Sequence, residues 1–210
     1  MSLVSLKNIS KSFGKNKILE DFNLEIEKGE SIAIVGDSGS GKSTLLNIIG
    51  MLDDCDSGEL VIAGKKKLTS SSKDAEKLRR YEIGYIFQNF ALIDNMTVSE
   101  NLDIALAYRK KSENKETIKA NMLEEMGLRD KLNNKVYELS GGEQQRISIS
   151  MVFLKPCSII LADEPTGSLD DTNKEIIMNL LQRVHKDGKT IIIVTHDKDV
   201  SKICERIVKL

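Results

Sequence analysis

Nine consecutive residues, Gly36-Asp37-Ser38-Gly39-Ser40-Gly41-Lys42-Ser43-Thr44, constrain this chain more than any other feature. They match the pattern G-x-x-x-x-G-K-[ST] directly after the apolar run Ser31-Ile32-Ala33-Ile34-Val35. Leu45, Leu46, Ile48 and Ile49 follow at helical spacing. Glycines let a backbone curl so that successive N–H groups point inward at an anion, and the helix that follows adds the positive end of its dipole. In such a loop Lys42 would reach the β- and γ-phosphates and the Ser43 hydroxyl would ligate Mg²⁺. A Gly-rich turn with no ligand is the competing reading, and the flanking strand and helix argue against it.

Two later runs, Ser158-Ile159-Ile160-Leu161-Ala162 and Thr190-Ile191-Ile192-Ile193-Val194, are likewise continuously apolar. Strands buried on both faces look like this, so a parallel sheet between helices is predicted, an α/β fold. Each run ends in polar residues: the glycine loop, then Asp163-Glu164, then His196-Asp197. Open α/β sheets bind ligands beyond the carboxyl ends of their strands, so three strands would deliver chemistry to one edge. There Asp163 would hold Mg²⁺ and Glu164 would polarise a water for in-line attack on a γ-phosphate. Near the start, Val4 and Leu6, then Phe22, Leu24 and Ile26, alternate with polar residues as half-buried strands do.

The remaining composition narrows the setting. A chain of 210 residues is one domain, or one domain with a subdomain. Lys plus Arg number 31 against 32 Asp plus Glu, a net charge of -1, so no nucleic-acid partner is expected. Cys55, Cys157 and Cys204 form neither a disulfide framework nor a zinc spacing. No segment approaches the roughly 18 apolar residues of a membrane span, and the first residues lack the order of a signal peptide. The expectation is a soluble cytoplasmic protein without direct membrane insertion, carried to any membrane by a partner. Residues 65–80, polar and Lys-rich, read as a surface connection from strand to helix, with a local nucleic-acid patch as the minor reading. Leu102, Ala105 and Leu106 mark one helical face, and Ile118, Met122, Leu123 and Met126 another.

Leu139-Ser140-Gly141-Gly142-Glu143-Gln144-Gln145-Arg146 is a second, rarer motif. Ser140 and Glu143 have the spacing of a capping box that opens the helix carrying Ile147, Ile149, Met151 and Val152. Two glycines at a helix start also permit close approach by a phosphate. Spacing alone leaves both roles open.

With that motif in place, the chain resembles the ATP-binding cassette (ABC) ATPases over nearly its whole length. The motifs fall in the family's order: the phosphate loop, Gln88 after Gly84-Tyr85-Ile86-Phe87, the signature at Leu139, Asp163-Glu164-Pro165, Ser168-Leu169-Asp170 and Thr195-His196-Asp197. The wording around Gln88 and Asp163 looks most like the lipoprotein-release, macrolide-export and bacteriocin-export group. The resemblance implies a P-loop NTPase with a mostly parallel core sheet flanked by helices. It also implies an N-terminal antiparallel β subdomain and a helical subdomain inserted at roughly 89–155, all within one domain spanning 1–210.

The resemblance also implies roles. Gly36, Ser38, Gly39, Ser40, Gly41, Lys42, Ser43 and Thr44 would hold the phosphates of ATP, and Phe13 would stack on adenine. Ser43, Gln88 and Asp163 would serve Mg²⁺, with Gln88 also sensing the attacking water. Glu164 would be the base, and His196 would contact the γ-phosphate and hold the water and Glu164 in place. Ser140 and Gly142 would bind the γ-phosphate of ATP held by a second copy, and Asp170 would lie across that interface. A closed site then needs a head-to-tail homodimer around two ATP molecules, hydrolysing ATP to drive an integral membrane permease at the inner face of the cell membrane. Phe90, Leu92, Ile93 and Met96 are candidates for a groove that receives a permease helix, or else for helical core. A regulatory cassette that signals through a permease-like partner is the alternative. A DNA-repair cassette is disfavoured because the stretch from Thr44 to Leu139 is too short for a long coiled coil. A translation-type cassette is disfavoured because only one cassette is present, and a P-loop kinase by the signature and Glu164.

Three features depart from the family pattern. Ser150-Met151-Val152 stands where close relatives carry Ala-Arg-Ala, Glu143 replaces Gln, and the short stretch after His196 implies a trimmed C-terminal strand or helix.

Overall fold

The three continuous apolar runs become neighbouring strands. The computed structural model describes residues 2–109, 114–167 and 169–210. Ser168 of the Ser168-Leu169-Asp170 motif, and 110–113 within the predicted helical stretch, lie outside the described residues. Strands β1 (Ser2–Phe13) and β2 (Asn16–Glu27) precede β3 (Ser31–Val35), α1 (Lys42–Ile49), β4 (Ser57–Ile62), α2 (Lys73–Tyr81) and β5 (Ile83–Ile86). Helices α3 (Val98–Leu106), α4 (Lys115–Glu125) and α5 (Gly141–Leu154) come next. The chain then runs through β6 (Ile159–Asp163), α6 (Asp171–Lys186), β7 (Thr190–Val194), α7 (Lys198–Lys202) and β8 (Arg206–Lys209).

Five strands form a parallel sheet in the order β5-β6-β7-β3-β8. Its sides separate two cores, which is why the runs are apolar throughout. Ile160, Ala162, Ile191 and Ile193 face a core shared with α3, α5 and α6. Ile159, Leu161, Ile192 and Val194 face a core shared with α1, α2 and the first strands. Each fully buried Ile or Leu contributes roughly 1.5–3 kcal/mol, so these short strands are held mainly by burial.

A second, antiparallel sheet, β2-β1-β4, is the N-terminal β element the family resemblance implies. Strand β1 changes phase midway. Val4 and Leu6 are buried, Asn8 takes φ 52° where both pairings slip register, and the next buried positions are Ile9 and Lys11. The bulge therefore puts Lys11 and Phe13 on the side that Ile9 occupies. Residues 65–67 are exposed and Ser72 caps α2, so the surface connection is only 65–72, and the rest of the polar stretch is α2 itself, which buries Ala75 and Leu78.

Between β5 and β6 the described residues form helices and turns without a strand. Helix α5 packs on α3, α4 and β5, whereas α1 packs on β6 and β7. The phosphate loop and the signature thus belong to different layers. No helix among the described residues is long and apolar enough to cross a membrane.

Candidate functional site

Sheet register sets the site. Ile34 and Asp163 both pair with Val194, and Ile86 pairs with Ala162, so four strands end level. Gly36, Gln88, Glu164 and His196, each one or two residues beyond a strand end, are delivered to one edge. Strand β5 adds Gln88 to the three strands that sequence had singled out.

The loop 36–44 curls as its glycines require. Gly41 has φ 94°, and a Cβ there would lie 2.5 Å from the Ile18 side chain, so no other residue fits. Gly39 is also left-handed, at φ 81°, and Ser38 and Gly39 are exposed at the turn. Lys42 Nζ donates to the carbonyls of Gly36 at 2.9 Å and Asp37 at 2.7 Å. An ammonium has three donors, so the described contacts leave one for an anion. Ser40 Oγ is buried without a partner, a costly state that a bound phosphate oxygen would relieve. These features fit a polyphosphate. Thr44 lies in the first turn of α1, where backbone N–H groups lack intrahelical acceptors.

Ser43 Oγ donates to Asp163 Oδ1 at 3.1 Å. Burial raises the Asp163 carboxyl above its ordinary value, with the Ser43 hydrogen bond opposing the shift. A hydroxyl and a carboxylate in contact form an oxygen donor pair suited to Mg²⁺, a small hard cation. Gln88 is exposed between two adjoining clefts, one lined by Asp163 and the other by Glu164.

Glu164 follows Asp163 but faces a different set of groups. Its backbone is left-handed at φ 46°, uncommon for a side-chain-bearing residue. That turn carries the carboxylate across to β7. There Oε2 accepts from Thr195 Oγ1 at 3.0 Å, and Oε1 accepts from the His196 N–H at 3.0 Å. His196 Nδ1 lies 2.7 Å from the same Oε1. The His196 ring is 75% exposed and the Glu164 side chain only 14%. A shielded carboxylate held by an exposed imidazole has the arrangement of a base with an orienting partner. Thr195, buried and also accepting the Asp197 N–H at 3.0 Å, is the group sequence reasoning left without a role. Its only sequence signal was its place in the Thr195-His196-Asp197 motif.

The signature forms the other part. Ser140 Oγ accepts the Glu143 N–H, and the Glu143 carboxylate accepts the Ser140 N–H at 2.8 Å, so the capping box is real. These bonds hold the Glu143 carboxyl below its usual range. Ser140 and Gly141 remain exposed at the helix start. A Cβ on Gly142 would come within 3.0 Å of Asn173 Nδ2. Asn173 in turn donates to Asp170, which caps α6, and it accepts from Arg146. Asn173 thereby ties Gly142 to Asp170, a connection between distant segments that no local pattern announces. Gln145 Nε2 donates to the Pro165 carbonyl at 3.0 Å, linking α5 to the turn that carries Glu164. Among the described residues, the hydrogen bonds of Ser140 run to Glu143 and Gln144, and none reaches 36–44.

Phe13 ends β1 and is 52% exposed. The four residues proposed for a groove divide. Phe90 lines an apolar groove with Phe87, Ala91, Ile104 and Tyr108. Leu92 packs against the helical core, and Ile93 and Met96 are exposed at the surface.

Comparison with known proteins gives a consistent result. The family model described as "ABC transporter" matches residues 19–167. The macrolide export ATP-binding/permease protein MacB of Aggregatibacter actinomycetemcomitans is 40% identical over 215 residues, covering 100% of this chain and 33% of that protein. MacB of a Shewanella species is 44% identical over 194 residues, covering 92% of this chain and 30% of its own length. The chain therefore spans about a third of the length of the curated relatives it matches. Among solved structures, the dimeric post-hydrolysis state of the ATP-binding cassette MJ0796 with ADP and Pi superposes with a TM-score of 0.89. It is 39% identical and covers 99% of this chain and 94% of that one. The cbiO1 structure from Clostridium perfringens, described as part of the ABC transporter complex cbiONQ, has a TM-score of 0.85 at 28% identity, covering 99% of this chain and 84% of that one.

Proposed function

The chain belongs to the ABC transporter family, and from that premise we propose that it binds and hydrolyses Mg-ATP in a head-to-tail homodimer that drives a membrane permease. The observation that carries this reading is the division of labour at the end of β6. Asp163 contacts Ser43 of the phosphate loop, and the adjacent Glu164 contacts Thr195 and His196. These contacts support separate tasks for the two consecutive carboxylates, Asp163 at the metal and Glu164 at the water.

In this account Lys42, Ser40 and the N–H groups of 36–44 bind the phosphates, and Phe13 stacks on the adenine. Mg²⁺, held by Ser43 and Asp163 with Gln88 nearby, would neutralise charge on the β- and γ-phosphates. Glu164 takes a proton from water as the water oxygen bonds to the γ-phosphorus. The bond from that phosphorus to the β–γ bridging oxygen breaks, and ADP and phosphate leave. His196 orients Glu164 and contacts the γ-phosphate. Preorganised charge of this kind is usually the largest catalytic term in phosphoryl transfer. Ser140 and Gly142 of the second copy close the site over the γ-phosphate, with Asp170 at the seam, and losing that phosphate lets the pair reopen.

The separation of α5 from α1 supports the requirement for a second copy. The relatives named for macrolide export support an export or release role for a peptide, lipid or drug-like substrate. The groove at Phe87 and Phe90, directly before and after Gln88 and Asn89, is where a permease helix would feel nucleotide state. The protein itself would then work at the inner face of the membrane. The test is Glu164→Gln. Wild type should release phosphate from Mg-ATP, while the variant binds ATP normally, loses at least about a hundredfold in turnover, and elutes as an ATP-dependent dimer. Turnover at the wild-type rate would remove Glu164 from the base role.

A further inference from the structure

Lys11 is nearly buried, 8% exposed, yet it lies two residues from the exposed Phe13 on the same side of β1. Burying a lysine is costly unless its charge is met, and here it is met from one direction. Nζ lies 3.0 Å from Asp53 Oδ1, 2.6 Å from the Asp54 carbonyl and 3.9 Å from Asp56 Oδ1. These groups sit in the loop just beyond α1, the helix whose first turn carries Lys42 and Ser43. The same loop fixes the strand backbone, because Asp56 Oδ2 accepts the Ser12 N–H at 2.7 Å and the Asp56 N–H donates to the Ser10 carbonyl at 2.9 Å. The ammonium then stands over the Phe13 ring, 5.1 Å from its centroid, inside the range where a cation is attracted to an aromatic face.

We propose that Lys11 is a positioning residue for nucleotide binding: its ammonium, clamped by the loop after α1, fixes the Phe13 ring from beneath and polarises the ring toward a purine on the opposite face. This rests on the reading of Phe13 as the adenine platform. A cation on one face draws ring electron density toward itself, so the other face becomes a better partner for an electron-rich base. The bulge at Asn8 is what brings Lys11 onto the side of the strand where this is geometrically available. The clamp also links the two ends of the ligand through α1, which starts at the phosphates and ends at the adenine support. Phenylalanine lacks the hydroxyl with which a tyrosine could anchor itself, so the cation supplies an orientation that the ring cannot secure alone.

The experiment is calorimetric titration of the full chain with Mg-ATP and, separately, with Mg-tripolyphosphate, which carries the phosphates without the base. Lys11→Met should weaken ATP about fivefold and leave tripolyphosphate unchanged. Lys11→Arg, which keeps a cation, should stay close to wild type for both. Phe13→Ala should weaken ATP selectively, and adding Lys11→Met to it should cause no further loss. Equal weakening of both ligands by Lys11→Met would make Lys11 a brace for the fold only, and no weakening of either would also overturn the proposal. If Phe13→Ala leaves the ratio of the two affinities unchanged, the adenine reading itself fails. If Phe13→Ala shifts the ratio and Lys11→Met does not, only the role of Lys11 fails. Should Lys11→Met not fold, Lys11→Gln makes the same comparison, since its amide keeps a donor toward Asp53 without the charge.

Discussion

Thr195→Val removes one hydroxyl from beside Glu164 and almost nothing else. Thr195 is fully buried, and valine has its shape, so packing is retained. The hydroxyl donates to Glu164 Oε2 and accepts the Asp197 N–H, both at 3.0 Å, and the two losses have separate readouts. An N–H left without an acceptor costs about 1–3 kcal/mol of stability. For a chain of this size that lowers Tm by roughly 2–12 °C. At Glu164, Oε1 keeps its two contacts with His196, whereas Oε2 loses its hydroxyl donor. A hydrogen bond to a charged group is worth about 1.5–3 kcal/mol. If it holds the base in place during proton transfer, kcat should fall by about 10- to 100-fold. ATP affinity should not move, because the described side-chain bonds of Thr195 run to Glu164 and Asp197 and not to 36–44. The assay is steady-state phosphate release with Mg-ATP titrated through saturation, alongside a thermal melt. Thr195→Ser, which restores donor and acceptor together, should recover both quantities. A lowered Tm with wild-type kcat would refute the reasoning, because the hydroxyl would then serve the fold alone.

Two further outcomes follow from the signature and the groove. Ser140→Ala removes the cap of α5 and should cost about 1 kcal/mol in a melt at neutral pH. Bonds from Ser140 depress the Glu143 carboxyl, so its contribution to stability is full above the ordinary value of 4.5 and lost as pH falls through the lower folded value. The difference between Ser140→Ala and wild type should therefore shrink in melts at acid pH. Ile104→Asp places a charge in the apolar groove, away from the cleft that Phe90, Gln88 and Glu164 line together. It should leave basal phosphate release within about twofold and abolish co-purification with the permease, since an unpaired carboxylate in an apolar contact is costly.

Particular residues show what sequence could and could not disclose. Strands β3, β6 and β7 were legible because burial on both faces leaves no polar position in the run. Strand β5 was not, because four residues including Gly84 and Tyr85 carry too little pattern. Strand β8 lies at the sheet edge with Ile207 half exposed, so it alternates weakly. The phase change at Asn8 is a backbone event without a residue signature, so no sequence pattern marks Lys11 as buried. Within the site, the phosphate loop is local and could be read directly. The contact of Thr195 with Glu164 depends on the pairing of Asp163 with Val194 across two strands. The Gly142–Asn173–Asp170 contact depends on α5 meeting α6, which spacing along one segment does not encode.

The central claim is that the groups surrounding the γ-phosphate come from two copies of the chain. Turnover per protomer at saturating Mg-ATP, followed on serial dilution with light scattering reporting the assembly state, tests it most directly. The per-protomer rate should fall as dimers dissociate and return on reconcentration. An undiminished rate in a sample that scatters only as a monomer would contradict it.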